Sequence, residues 1–249
     1  SVTSNNYEGL EGAPPRFKEL LGCICRESVP FLLKEDESAI PIAALFFKQG
    51  DYSFIKELID SSSLDAESWM KTYFENVVIP LYHLQMKHGV GMVAHGQNVV
   101  LILKDKKPYG VILKDFHGDL RLSSTSHLIG NHSVSSLTVL PPEYLIHDLY
   151  TGHFVTVLRY ISRVMEEFNI LREEAFYKLL GDVVENYFEQ GLINRPEGPL
   201  NLLREEVEKL QVNKVRFVMG YKESTEPLKP LVGKNIKNPL VKYRNWSLQ

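Results

Sequence analysis

The chain has 249 residues, 44% hydrophobic and 24% charged, the balance of a soluble globular protein. Its formal charge of −3 and pI near 6.3 supply no basic footprint for nucleic acid. No apolar run approaches the ~20 residues that a membrane-spanning helix needs. The two cysteines, Cys23 and Cys25, have one residue between them, poor geometry for a bridge, so core packing in a reducing, cytoplasmic compartment is expected.

Residues 1–15, SVTSNNYEGLEGAPP, are polar and aperiodic and read as a flexible lead-in. The chain opens on Ser rather than Met, so preceding sequence is expected. A first helix is predicted over 16–27, with Arg26 and Glu27 as a structural ion pair. The stretch IPIAALFF then suggests a buried apolar segment, and DYSFIKELIDSSS a short amphipathic helix stopped by serines. From residue 65, Trp69, Tyr73, Val77, Leu81 and Leu84 recur at three- and four-residue spacing. They predict a long amphipathic helix, perturbed at Pro80 and ended by Lys87, His88 and Gly89.

Two β-type runs follow, 99–103 and 110–114, and the DKKPY between them reads as the turn of a β-hairpin. After Pro141 and Pro142 the pattern becomes helical over 143–168 and 173–191, and a further helical stretch is predicted around 200–210. The aromatic set Tyr177, Tyr187 and Phe188 belongs to the helix core. The fold class is α+β. Residues 16–140 would form a kinase-like palm with the hairpin, and 141–249 a mainly helical thumb subdomain.

Pairing the hairpin about DKKPY sets Val99 near Lys114, which brings Asn98 and Asp115 together at its open end. An amide oxygen and a carboxylate there form a hard, oxygen-only pair suited to Mg²⁺ shared with substrate phosphates. His95 and Gln97 lie on the loop entering the same end. The order long helix, His-Gly-Gln-Asn loop, two strands and Lys-Asp-Phe resembles the catalytic loop and metal-binding Asp-Phe-Gly of kinase-like phosphotransferases. Turn chemistry alone also places Asn and His on such loops, and the spacing does not separate the two readings.

The segments GMVAHGQNVVLILKDKKPYGVILKDFHGDLRL and PPEYLIHDLYTGHFVTVLRYIS are similar to those of the NRPS-independent siderophore synthetases, the family of aerobactin synthetase. LGCICRES, AIPIAALF and the NPL at 238–240 resemble that family in the same order, over about residues 16–242. The resemblance implies that ATP adenylates a carboxylate, pyrophosphate leaves, and an amine displaces AMP to form an amide. It implies Mg²⁺ on Asp115 with help from Asn98, and His95 and Gln97 at the nucleotide phosphates or the activated carboxylate. Lys114 and Arg121 would neutralise phosphate or carboxylate, although a solvated ion pair of Arg121 with Asp119 is equally expected.

His117 and Asp119 flank the same turn as supporting candidates. In the family the YLIHDLYTGHF helix runs near the cleft, so His147, Asp148 or His153 could meet the amine. The bland reading of the two histidines is helix packing and capping, because six residues place them on different faces. Family members that activate free citrate tend to carry Glu two residues before the loop histidine. Val93 stands there in this chain, which resembles the subgroup whose acid is already derivatised, a citrate monoamide or a succinylated hydroxamate. Family enzymes are roughly twice this long, so the preceding half is an expected partner, and a homodimer is expected by resemblance. A γ-phosphate-transferring enzyme and a non-catalytic binding or dimerisation module remain as alternatives.

Overall fold

A computed structural model describes residues 27–210 and 233–245. The expected lead-in, the helix at 16–27 apart from Glu27, Arg26 and both cysteines lie outside the described residues. The first described strand is β1 (Glu37–Pro41), followed by a 3₁₀ turn (Ile42–Phe46) and α1 (Phe54–Asp60), which stops at the serine run. The long helix is α2 (Ala66–Tyr73), a π segment (Phe74–Val78) and α3 (Ile79–His88). Asp65 caps its start by accepting from the Ser68 N–H at 2.7 Å.

The perturbation expected at Pro80 takes the form of that π segment. It shifts the hydrogen-bond register just ahead of a residue that has no N–H to give. Gly89 closes α3 at φ 63°, and its N–H returns to the Gln85 carbonyl at 2.9 Å.

After β2 (Val90–Met92), the hairpin is β3 (Val99–Lys104) and β4 (Lys107–Leu113). Its turn is only Asp105–Lys106, both at positive φ (50° and 63°), the mirror-image two-residue type whose twist matches the strands. Lys107, Pro108 and Tyr109 are therefore strand residues rather than turn. The register shifts between Ile102 and Leu103, which pair with Gly110 and Pro108, so Tyr109 is an extra residue bulged out of the ladder. Val99, Leu101 and Leu103 alternate onto the buried face, and β1 pairs antiparallel along the free side of β3. The Trp69 indole N–H donates to the Lys106 carbonyl at 3.0 Å and ties the turn to α2.

A second sheet joins β2 to β5 (Leu120–Ser123), which follows the four-residue α4 (Phe116–Asp119). Beyond β5 lies β6 (Thr138–Leu140), parallel to it. The helical half contains α5 (Pro142–Leu145), α6 (His147–Leu149), a nine-residue π segment (Tyr150–Leu158), α7 (Arg159–Glu167) and α8 (Glu173–Glu189). One core joins the halves. Phe74 meets Phe176 edge-on at 5.2 Å, and Tyr82 meets Tyr187 and Phe188 edge-on at 6.1 Å each.

The helix expected around 200–210 does not form. Residues there make a 3₁₀ turn (Gly198–Leu200) and the short strand β7 (Glu206–Val207), paired with β8 (Ile236–Lys237) ahead of α9 (Pro239–Asn245). The reason is Asn238, which is buried. Its amide donates to the Leu202 and Arg204 carbonyls at 2.7 and 2.8 Å, the groups a helix would bond internally, and its Oδ1 accepts from the Leu240 N–H at 3.1 Å. Asn238→Ala strands the buried Leu202 carbonyl and the partly buried Arg204 carbonyl. It should lower stability by about 2 kcal/mol in urea denaturation, whereas an unchanged midpoint would deny the NPL segment this clamping role.

Candidate functional site

Residues 93–98 leave β2 and enter β3, and every side of this loop is held. The Val93 N–H donates to the Asp119 carbonyl at 2.9 Å. The Asn98 N–H closes a turn on the His95 carbonyl at 3.0 Å, and the Lys114 N–H adds a last rung onto the Asn98 carbonyl at 3.0 Å. The Gln97 N–H reaches His95 Nδ1 at 3.2 Å. A methyl placed on Gly96 would sit 3.1 Å from the Ala43 Cβ, so the IAALF turn packs directly under the loop.

The strand register is one residue tighter than expected, with Val99 opposite Leu113. Asn98 thus faces Lys114, and Asp115 comes one residue later, in the left-handed conformation at φ 66°. The Asn98 side chain is 1% exposed. Its amide donates to the Val93 carbonyl at 3.1 Å and to Asp119 Oδ2 at 2.7 Å, which leaves Oδ1 as its remaining acceptor. Asp119 Oδ2 also lies 4.0 Å from His95 Nε2, both side chains about one-third exposed. Gln97 is exposed, while Lys114 and Asp115 are half-buried. The His117 side chain lies outside what the structure describes.

Arg121 does not pair with Asp119. It bonds Asp148, because the β2–β5 register sets Arg121 opposite Gly91 and the missing side chain there admits the carboxylate. A methyl on Gly91 would stand 2.8 Å from Asp148 Oδ2. Asp148 is buried, and its Oδ2 makes no hydrogen bond. Desolvation outweighs Arg121 and pushes its carboxyl up to about 7. His147 points elsewhere, beside Tyr150, with Arg204 and Glu208 nearby, and burial pushes it down to about 4. His153 is wholly buried and pushed down to about 4 by desolvation. His147 and His153 therefore separate as their spacing implied, and neither presents a ring to solvent.

Mg²⁺ usually takes one or two carboxylates and keeps phosphate and water for the rest of its shell. Asp115, Asp119 and Asn98 Oδ1 offer that kind of oxygen-only donor set. No three His, Cys, Asp or Glu side chains converge as a metal cluster among the described residues. The sequence left two partnerships unread, Asp119 with Asn98 and Asp148 with Arg121. The signal for the second was small: Gly91, where the Leu145 and Asp148 side chains take the space of the missing Cβ.

A family described as "Ferric iron reductase FhuF-like transporter" matches residues 67–224. The aerobactin synthase of Vibrio mimicus is 39% identical over 243 residues, covering 95% of this chain and 41% of that protein. The structure of aerobactin synthetase IucC from a hypervirulent pathotype of Klebsiella pneumoniae superposes with a TM-score of 0.72 at 35% identity, over 87% of this chain and 39% of that one. ATP-bound aerobactin synthetase IucA from the same pathotype shares the fold, with a TM-score of 0.61 at 15% identity over 81% of this chain and 36% of that one. The fold and the loop-and-hairpin site thus define an α+β domain of the FhuF-like class. The chain belongs to that family and, within it, to the aerobactin-synthetase group of NRPS-independent siderophore synthetases. It spans about two-fifths of the length of the curated relatives it matches.

Proposed function

We propose that this chain is the C-terminal, nucleotide-facing portion of a cytoplasmic ATP-dependent ligase that builds a hydroxamate siderophore. The carrying observation is the convergence of both long motifs on one loop. Residues 93–98 are bonded to the hairpin end, to Asp119 and to the YLIHDLYTGHF helix, with the Arg121–Asp148 pair alongside. The naming of ATP for the remote IucA neighbour supports the choice of nucleotide.

In this reading a carboxylate oxygen attacks the α-phosphorus of ATP and pyrophosphate leaves. The amine nitrogen then attacks the acyl carbon, AMP leaves with the acyl–oxygen bonding pair, and the amine surrenders its proton. Asp115, with Asp119 and Asn98 Oδ1, would hold Mg²⁺, which supplies Lewis-acid neutralisation of phosphate charge. His95 and the exposed Gln97 donate toward oxygens that gain charge. Lys114 and Arg121 bring the cations, and Asp148 fixes the orientation of Arg121. Residues 16–140 and 141–249 act as palm and thumb, and Val93 favours an acid that is already derivatised.

The test is pyrophosphate and AMP release by the full-length protein with ATP, Mg²⁺ and a succinylated N-hydroxydiamine, run beside a citrate monoamide with its amine. Substrate-dependent release with either acid supports the ligase and assigns its subgroup. ADP as the nucleotide product would replace it with a phosphotransferase. No nucleotide binding at all, with a stable dimer by light scattering, would leave a binding or dimerisation module.

A further inference from the structure

His153 is 0% exposed, yet both ring nitrogens have partners. Nδ1 lies 2.8 Å from the Ala94 carbonyl, one residue before His95, and Nε2 lies 3.1 Å from the Tyr73 hydroxyl. A carbonyl only accepts, so Nδ1 carries the proton. Nε2 is then the acceptor, and the tyrosine hydroxyl donates to it. The two rings stack at 6.2 Å and 13°, and Tyr73 in turn stacks on Trp69 at 6.3 Å and 14°. Trp69 holds the hairpin turn through Lys106. A continuous buried line thus runs from the tip of the hairpin to the root of the loop at its base.

The helix also presses on the loop without side chains. The Ala94 N–H faces the Asp148 carbonyl at 3.4 Å, and a methyl on Gly152 would sit 3.0 Å from the Ala94 nitrogen. Ala94 is therefore gripped on both peptide groups, and the His153 bond is the shorter of the two.

We infer that His153 is a positioning residue: as the neutral Nδ1–H tautomer it fixes the Ala94 carbonyl and thereby sets where His95 and Asn98 stand toward the nucleotide. It touches no substrate itself. The inference rests on the ligase reading for its effect on turnover, but its effect on the loop is independent of that reading.

Two isosteres separate this role from simple core packing. The side-chain amide nitrogen of Asn falls where His Nδ1 sits, so His153→Asn keeps the bond to Ala94 and loses Tyr73. The side-chain amide of Gln reaches where Nε2 sits, with Oε1 accepting from the Tyr73 hydroxyl, so His153→Gln keeps the Tyr73 side and loses Ala94. Both leave space and lower stability, as the denaturation midpoint of each will record. Misplacing a binding loop commonly costs 10–100-fold. In the full-length protein, His153→Gln should lose about 10–100-fold in kcat/KM for ATP, while His153→Asn stays within about threefold of wild type. Hydrogen exchange of the 93–98 amides should speed at least about tenfold in His153→Gln and little in His153→Asn. The ¹⁵N spectrum of wild type should show one histidine locked as Nδ1–H from pH 8 to 5.

Equal kinetics and equal loop exchange in the two variants, or an Nε2–H tautomer, would overturn the positioning role. Absence of ATP-dependent turnover in wild type, with loop exchange still split between the variants, would sink the ligase reading and leave His153 as the residue that sets the loop.

Discussion

Asp115→Asn should lower substrate-dependent pyrophosphate release by the full-length protein on the order of 10³-fold, because several kcal/mol of charge stabilisation leave with one metal ligand. The fold should survive, with a melting temperature within a few degrees of wild type. Asp115 sits at φ 66°, where most L-residues are strained and Asn is among the most tolerant. The amide therefore keeps the backbone and the side-chain volume and removes only the charge. Alanine at this position would mix lost charge with left-handed strain and could not be read as cleanly. Raising Mg²⁺ should restore part of the activity if the loss is one of metal affinity. Wild-type-like turnover in Asp115→Asn would take Asp115 out of the site and shift the metal assignment to Asp119.

Much of the scaffold around Asp115 is legible in the amino-acid pattern. The helix from residue 65 to 88 announces itself because its apolar spacing runs without a break, and Gly89 ends it at the left-handed angle that only a glycine adopts at little cost. The hairpin is legible as a pair of strands but not in register. Its turn uses Asp105 and Lys106, and a run of charge and proline gives no indication that Lys107 to Tyr109 belong to the strand. The expected pairing is therefore off by one residue, and that residue decides what faces Asn98. The stretch at 200–210 misleads because Arg204 and Glu208 have the spacing of a helical ion pair and do bond each other, while the backbone between them is claimed by Asn238, thirty-odd residues later. Arg121 finds Asp148 rather than the nearby Asp119 for the same kind of reason. The deciding fact is empty space at Gly91, which a sequence records only as a glycine.

Folding stability should level off near pH 7 and fall by about 2 kcal/mol on acidification to pH 4, and three buried groups set that curve. His147 and His153 are held down at about 4 from an ordinary 6.5, chiefly by desolvation. They remain neutral in the folded state while the unfolded chain takes up both protons, so their stabilisation is present above pH 6.5 and is lost as pH falls toward 4. Asp148 works in the opposite direction. Its carboxyl is raised from 3.8 to about 7, so its contribution is present at low pH and is lost as pH rises through 7. At pH 5 the unfolded chain therefore holds two more protons on the histidines and one fewer on Asp148. The net difference is one proton, a slope of about 1.4 kcal/mol per pH unit. Asp148→Asn removes the opposing group, keeps an acceptor for Arg121, and should double that acid slope. Urea midpoints of wild type and variant from pH 4 to 8 measure both slopes. A flat wild-type profile would mean that the histidines are not held neutral, and an unchanged slope in Asp148→Asn would mean that Asp148 is already ionised throughout this range beside Arg121.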